Sequence, residues 1–446
     1  VEKGPAVGGA GKLASGLFAV ESSLQKAKYK NNPELLSQLT KDQLFKQLMD
    51  YNHYLSSASI TRRVIDESSS TVDWMNKHGA KLELIDWNPQ QGQNPYPIRW
   101  RIYHRYVDNA GAFKNMYDAF GKLGGKLLLQ TRAYDLTQDK DGNVTAVIAE
   151  KADGGKLTIK TSAVILASGG YGADQSLLPP KMKSFLFYGV DGETGDGLKM
   201  GEAIGAATIN MDLVKQYPQG VETRPHHGLA ATASSTDTMK KSGAIYVNRD
   251  GKRFVDENAG LGVLTDKTIE QPGSIAYIVM DDAAWKQYVA KSLEDKLVPS
   301  AESLNEWTKI VNNGHPVMAV SKSLEDAAKQ MGIDPKGLEA TVKHWNDMVK
   351  AGSDKDFSRR LTGGLAEGGT WRIVEQKVRY QTTLGGLKAD GAMRILKKDG
   401  SAIPGLYGAG CVVGGANGAD SMTAMMNSWA IVSGVVAAES AASYAK

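Results

Sequence analysis

At 446 residues the chain is too long for one small core, and at about 150 residues per domain it predicts two or three domains. Hydrophobic residues at 41% and charged residues at 23% are ordinary globular composition, and the absence of an apolar run of about 18 residues argues against a transmembrane helix. The net charge of +4 is dispersed, with Arg62-Arg63 and Lys240-Lys241 reading as solvated surface, and no basic helix or aromatic-interleaved strip points to nucleic acid.

Residues 5–22 read as a turn running into a helix. Over 60–78, Val64, Ser68, Val72 and Met75 fall at helical spacing, with Gly79 as a C-cap. The pattern repeats over 109–123 with Phe113, Tyr117, Phe120 and Leu123, closed by Gly124-Gly125. Between these helices DWNPQQGQNPYPIRWRIYHRY, rich in Pro, Asn and Gln, reads as an irregular surface excursion of the kind that often forms a lid. Residues 126–170 read as β-rich, punctuated by the turns DKDG and ADGG, and AVILASGG fits a strand buried on both faces. From Met211 the chain becomes polar and turn-rich, and GAIYVNRDGKRFVDE reads as a hairpin around Asn248–Gly251. The stretch 300–352 reads as helical, with Asp334 as N-cap, Pro335 in the first turn, and Leu338, Val342, Trp345 and Val349 on one face. After 383 a glycine-rich strand–turn–helix pattern returns and ends in a small-residue helix over 427–443. The order predicts an α/β fold: a Rossmann-like domain in two pieces, 1–211 and 383–446, with an α+β capping domain, 212–382, inserted between them. No internal repeat is visible.

The 49 glycines are clustered, as at Gly169-Gly170, Gly385-Gly386 and Gly414-Gly415, which marks places where backbone takes positive φ or approaches something closely. A doubly wound sheet binds dinucleotides at the carboxyl ends of its strands, with an acidic residue on the adenosine ribose. Glu2 has that position if Val1 ends a strand, and GGAGKLASG would then carry backbone N–H groups past the pyrophosphate. Alone, this stretch reads equally well as a surface turn before a helix. AVILASGGYG (163–172), TGDGLKMGEAIGA (194–206) and GLYGAGCVVGGANGADSMTAMMNSWA (405–430) are three further glycine-turn units, and four in this order make a specific signature. The single cysteine, Cys411, allows no internal disulfide, haem attachment or iron–sulfur ligation. His226-His227 is the only histidine pair and reads as a loop, so no metal site is expected.

The series VEK…GG…KLASG, AVILASGGYG, TGDG…MG…GA, GAIYVNRDGKRFVDE, TTLGGL and IPGLYGAGCVVGGANGA resembles the flavoprotein subunits of the fumarate reductase and succinate dehydrogenase superfamily. The likeness is closest to the soluble bacterial branch that includes flavocytochrome fumarate reductase and urocanate reductase. It covers nearly the whole chain and is weakest at 85–105. The resemblance implies FAD, with Glu2 at the ribose, Gly8, Gly9, Lys12 and Gly16 along the phosphates and ribityl chain, and Ala133 at the adenine. It also implies that Ser168, Gly169 and Gly170 line the cofactor, with Gly385 in the turn after TTL. Asp196 then serves the phosphate side, and Gly410, Asn427 and Ser428 the flavin ring, where a helix N-terminus near 427–429 would favour negative charge on reduced flavin. Cys411, where the family often has Glu, becomes a small buried neighbour of the flavin rather than a redox thiol. Family members carry a GxGxxG strand–helix unit before the equivalent of Val1, so the sequence is expected to start inside the fold. No histidine precedes His53, so noncovalent FAD is expected.

The same resemblance implies a changed substrate. Fumarate reductases hold a dicarboxylate with His, Arg and Thr-Glu groups and protonate it with an Arg. Thr236, Asp237 and Lys240 keep the polar character of one such stretch. Leu261 stands for the proton-donating Arg, Thr382 and Tyr217 for two histidines, and Ser421 for the carboxylate-binding Arg. Losing bidentate Arg pairing leaves a dianion poorly compensated. The expected substrate is therefore not fumarate but a bulkier, more aromatic molecule, neutral or with one anionic group. Tyr217, Tyr380 and Trp429 could line its pocket, and each reads equally as a core aromatic. Hydride would pass from reduced flavin to the β-carbon of a C=C conjugated to a carbonyl or carboxyl, with Tyr217, Lys240 or Arg379 protonating the α-carbon. Two other readings stand beside this one: a ketone or ketosteroid-type dehydrogenase running the chemistry backwards, and a redox-inactive flavin-binding protein. A separate electron-donor protein or an N-terminal redox domain is expected to feed the flavin. The protein is expected to be soluble, in the bacterial periplasm or cytoplasm.

Overall fold

The computed structural model describes residues 1–85, 101–312, 314–422 and 424–446, so most of the expected surface excursion, 86–100, lies outside the described residues. The chain divides into two compact units. The first comprises Val1–Pro179, Gly189–Lys215 and Thr382–Lys446, and the second Pro180–Tyr188 and Gln216–Gln381.

In the first unit the apolar run Val164–Leu166 pairs in parallel with Ala402–Gly408, Leu406 opposite Val164, although the two are far apart in sequence. Arg394–Leu396 adds an antiparallel edge. The opening residues bond the segment 128–131: Glu2 N donates to Leu128 O at 2.8 Å, and Thr131 N to Glu2 O at 3.0 Å. The glycine turn leads only into a short 3-10 helix, Gly9–Leu13, and then a strand, Gly16–Phe18, so the helix expected to run to residue 22 is not there. The first α-helix starts at Ser23, fixed by a capping box between Ser22 and Gln25. The helical pattern over 60–78 gives two helices, Ala58–Asp66 and Ser68–Lys77, broken where the Ser68 hydroxyl bonds the Ile65 carbonyl. Helix Asn109–Lys122 is capped by Asp108. Residues 131–160 form an antiparallel meander, Thr131–Gln138, Val144–Lys151 and Lys156–Lys160, around the two turns read from the sequence. The last helix, Met425–Tyr444, is rich in small residues and packs on Gly16–Phe18, Val164–Leu166 and Ala402–Gly408.

The second unit is built on a seven-stranded sheet. Ile275–Met280 lies between Ile245–Val247 and the long strand Trp371–Thr383, both antiparallel to it. Its alternate side chains enter two different cores: Ala276, Ile278 and Met280 join Tyr246, Tyr288 and Trp307, whereas Ile275, Tyr277 and Val279 join Leu338, Val342 and Trp345. A strand with period two buried on both faces must be apolar throughout, as IAYIVM is. Helix Pro335–Ala351 begins at Asp334 as the sequence predicts. The all-helical reading of 300–352 fails between 311 and 321, where Val311–Asn312, His315–Pro316 and Met318–Ser321 are strands. The hairpin turn at Asn248–Gly251 is present, closed by Asn248 N to Lys252 O at 3.0 Å. It delivers Arg253 to a buried ion network: Arg253 bonds Glu257 at 2.7 Å and Asp354 at 3.0 Å, and Arg359 lies 3.3 Å from Glu257. Both guanidiniums stack on Trp345, at 4.5 and 4.7 Å from the ring centre.

Candidate active site

The cofactor positions expected from sequence all fall in the first unit. Glu2 Oε1 accepts from Gly4 N at 2.6 Å. Gly8 has φ 113°, a conformation that favours glycine, and the side chain of Lys12 lies across it. Gly9 opens the 3-10 helix. Gly16 has a different, structural demand on it, since a Cβ there would stand 2.2 Å from the His104 carbonyl. Ala133 lies in the meander opposite Ala149. Ser168 accepts from Gly197 N at 3.2 Å and so joins the strand end to the helix Asp196–Ala203. Asp196 is buried and ion-paired to Lys3 and Arg132, each at 2.7 Å. Burial works against that charge, but the two cations overcome it and hold the carboxyl below its ordinary value. Gly385 is pressed against the Asn210 carbonyl.

The last helix organises the other end. Asn427 Nδ2 donates to Gly16 O at 3.0 Å, and Ser428 Oγ accepts from Phe18 N at 2.7 Å. Trp429 Nε1 donates to Gly410 O at 3.0 Å, and Ser433 Oγ accepts from Gly410 N at 2.9 Å. Trp429 is thus a buried support for Gly410. Desolvation pushes the Cys411 thiol up to about 12, the Glu193 carboxylate adds to this, and a hydrogen bond to Thr382 opposes it. That environment suits an inert thiol.

These residues fit FAD. Gly169, at φ 78°, and Gly170 present bare backbone just past the strand Val164–Leu166, where a dinucleotide can lie. Beside them stand two buried polar atoms with no hydrogen-bond partner among the described residues, Glu193 Oε2 and Thr383 Oγ1. Sequence reasoning missed Glu193. No period or pair marks it, and only its place two residues before the Gly195-Asp196 turn could have drawn notice.

The candidate catalytic residues are distributed over both units. Thr236, Asp237 and Lys240 lie on helix Thr232–Lys241 of the second unit. Thr236 donates to Gln219 Oε1 at 3.1 Å, Asp237 is held by Gln287 at 2.6 Å and Lys241 at 2.8 Å, and Lys240 is exposed. Leu261 is exposed at the start of its helix, and Ser421 Oγ donates to Asn417. Thr382 and Ser421 belong to the first unit. Tyr380 is fully buried against Phe187, ring centres 5.3 Å apart.

Arg379 and Tyr217 come together within the second unit. The Arg379 guanidinium lies 4.6 Å from the ring centre of Tyr217 and 4.8 Å from that of Tyr188, a residue the sequence did not single out. Nη2 donates to Thr232 Oγ1 at 3.1 Å. Nε and Nη1 are buried with no partner among the described residues. Burial pulls Arg379 down to about 10, and the two tyrosines counteract this, so it is still cationic at neutral pH. Among the described residues no group of three or more His, Cys, Asp or Glu side chains is placed to hold a metal, and no helix is long and apolar enough to cross a membrane.

Residues 1–425 match the FAD binding domain family. The chain is 30% identical over 455 aligned positions to a fumarate reductase (cytochrome) of Shewanella frigidimarina, covering 100% of this chain and 73% of that protein. It is 29% identical to a urocanate reductase of Eggerthella lenta, covering 78% of this chain and 58% of that one. It is 27% identical to a vinyl phenol reductase of Lactiplantibacillus plantarum, covering 94% and 85%. In fold it is similar to the open conformation of a flavocytochrome c3 fumarate reductase, with TM-score 0.76 at 23% identity over 99% of this chain and 73% of that one. It is also similar in fold to the 3-ketosteroid delta1-dehydrogenase of Sterolibacterium denitrificans, with TM-score 0.72 at 17% identity over 98% and 94%. The chain therefore belongs to the FAD-binding-domain family and is an FAD-dependent reductase of the fumarate reductase family, acting on C=C bonds.

Proposed function

We propose that the substrate is an enoate with a single carboxylate and a bulky, aromatic substituent, and that Arg379 holds its carboxylate. The observation that carries this reading is the Arg379 guanidinium, buried between two tyrosine rings with two N–H donors unused by the described residues. An uncompensated buried cation costs several kcal/mol, of order 3–5 when its partner is missing, and a carboxylate accepting a charge-assisted N–H bond from it offsets that cost. The flanking tyrosines would select a flat, apolar substituent.

FAD, held by the glycine turns of the first unit, would supply the hydride chemistry for reducing the C=C. The residues of the chain bind the substrate and deliver the proton. Arg379 orients the carboxylate and draws charge toward it, and the Tyr217 hydroxyl is assigned the proton for the α-carbon. Lys240, exposed on its helix, is set aside for this step. The relatives named for urocanate and vinyl phenol support a family site open to aromatic substrates.

The test is reoxidation of photoreduced, FAD-loaded protein under anaerobic conditions. An aryl acrylate should reoxidise it much faster than fumarate or the aryl acrylate's methyl ester. Fumarate as the fastest acceptor, or equal rates for acid and ester, would overturn the proposal. Reduction of the oxidised protein by a saturated cyclic ketone would favour the dehydrogenase reading instead.

A further inference from the structure

Glu193 lies just ahead of the helix Asp196–Ala203 and is only 6% exposed. Its Oε2 has no hydrogen-bond partner among the described residues, and neither does Thr383 Oγ1, on a residue 1% exposed. Both atoms lie beside Gly170. A Cβ placed on Gly170 would stand 3.4 Å from Glu193 Oε2 and 2.3 Å from Thr383 Oγ1, and one on Gly169 would stand 3.4 Å from Glu193 Cγ. Cys411 is close enough for its thiol to feel the Glu193 charge. The nearby cation is already committed, since Lys3 bonds Asp196 at 2.7 Å and Thr194 at 2.6 Å. Lys3 therefore gives Glu193 attraction without a hydrogen bond, and burial raises the carboxyl to about 7. A buried carboxyl oxygen with no donor is costly, and a cost of that kind calls for a partner.

The chemistry of that partner follows from the site. A carboxylate repels phosphate, so the pyrophosphate is a poor occupant. Glycine backbone on one side admits close approach, and a carboxylate beside a hydroxyl suits a neutral group that both donates and accepts. We propose that Glu193 and Thr383 form a hydrogen-bonding site for the ribityl hydroxyls of FAD, with Glu193 as acceptor. This is a cofactor contact additional to those the sequence indicates, and it lies wholly within the first unit.

The test uses apoprotein titrated with FAD and with FAD analogues that each lack one ribityl hydroxyl, followed by flavin fluorescence. Wild type should bind one analogue about tenfold more weakly than FAD, the scale of a hydrogen bond to a charged group. Glu193→Ala should bind FAD itself about tenfold more weakly and discriminate against that analogue by less than about twofold. Glu193→Gln, which keeps an acceptor oxygen, should recover much of both. The apoprotein supplies a separate readout. Removing a carboxyl that has no partner should leave the melting temperature of Glu193→Ala apoprotein equal to wild type or higher. Wild-type FAD affinity in Glu193→Ala, or undiminished discrimination, would overturn the proposal. So would an apoprotein destabilised by the substitution, which would mark Glu193 as structural.

Discussion

Arg379 is 6% exposed and ion-paired to no described residue, so its charge serves a ligand better than it serves the fold. Two outcomes should therefore move in opposite directions on Arg379→Met. The unliganded protein should hold or gain up to about 3 kcal/mol in urea unfolding, because an unpaired buried cation is gone. KM for the aryl acrylate should rise about a hundredfold, while turnover of its methyl ester changes little. His104 makes a second prediction. It is fully buried, its Nδ1 facing the Ile102 carbonyl at 2.9 Å and its Nε2 facing the Ser22 hydroxyl at 2.8 Å. Burial lowers it from 6.5 to about 4, with the Ile102 carbonyl opposing. The unfolded chain therefore binds the proton first. The stabilising contribution is fully present above about 6.5 and is lost as pH falls toward 4, by up to about 3 kcal/mol. Chemical denaturation of wild type and His104→Gln across that range should show the variant with the flatter curve. Sequence pointed to Arg379 as one of several proton donors, but not to its setting. Tyr188 lies far from it along the chain, and nothing in local spacing records a ring stacked on a guanidinium.

Elements show why some patterns were legible and others were not. Asp334-Pro335 announced a helix because a cap and a fixed φ are local requirements, whereas IAYIVM, apolar throughout because both its faces meet a core, has no alternation to mark it and went unread. Val311–Asn312 and His315–Pro316 are two residues long, too short to show any period, so the surrounding helical pattern hid them. In GKRFVDE, Arg253 and Glu257 sit four apart and could be paired by eye, but Asp354, 101 residues away, could not. That third member decides the network's strength. Asp354→Ala leaves Arg253 short of a partner in a buried site and should cost about 3–5 kcal/mol, read as a lower urea midpoint with the slope unchanged. At the glycine turn, Gly170→Ala puts a methyl group 2.3 Å from Thr383 Oγ1. Purified Gly170→Ala protein should carry well under half the wild-type complement of FAD by absorbance. Thr383→Ser, which keeps the hydroxyl, should stay yellow.

Across the whole chain, the order of glycine-rich turns was readable because each needs a backbone few residues tolerate, and the FAD binding domain family matches residues 1–425. The substrate side was less readable, since it depends on single side chains drawn from distant strands. FAD at a hundred times its Kd should stabilise the protein by about 2.7 kcal/mol, seen by calorimetry as a higher melting temperature for the loaded protein than for the apoprotein. The first unit is assembled from three separated segments, and its closing helix fastens the start of the chain: Ser428 bonds the backbone of Phe18 across 410 residues. During synthesis, at about 5–20 residues per second, the ribosome needs roughly 20–80 seconds to bring the second partner out after the first. Through that interval the strand Gly16–Phe18 lacks the helix that covers it. A nascent chain stalled before residue 425 should therefore be an avid chaperone client, and release of the final helix should be the event that lets it go.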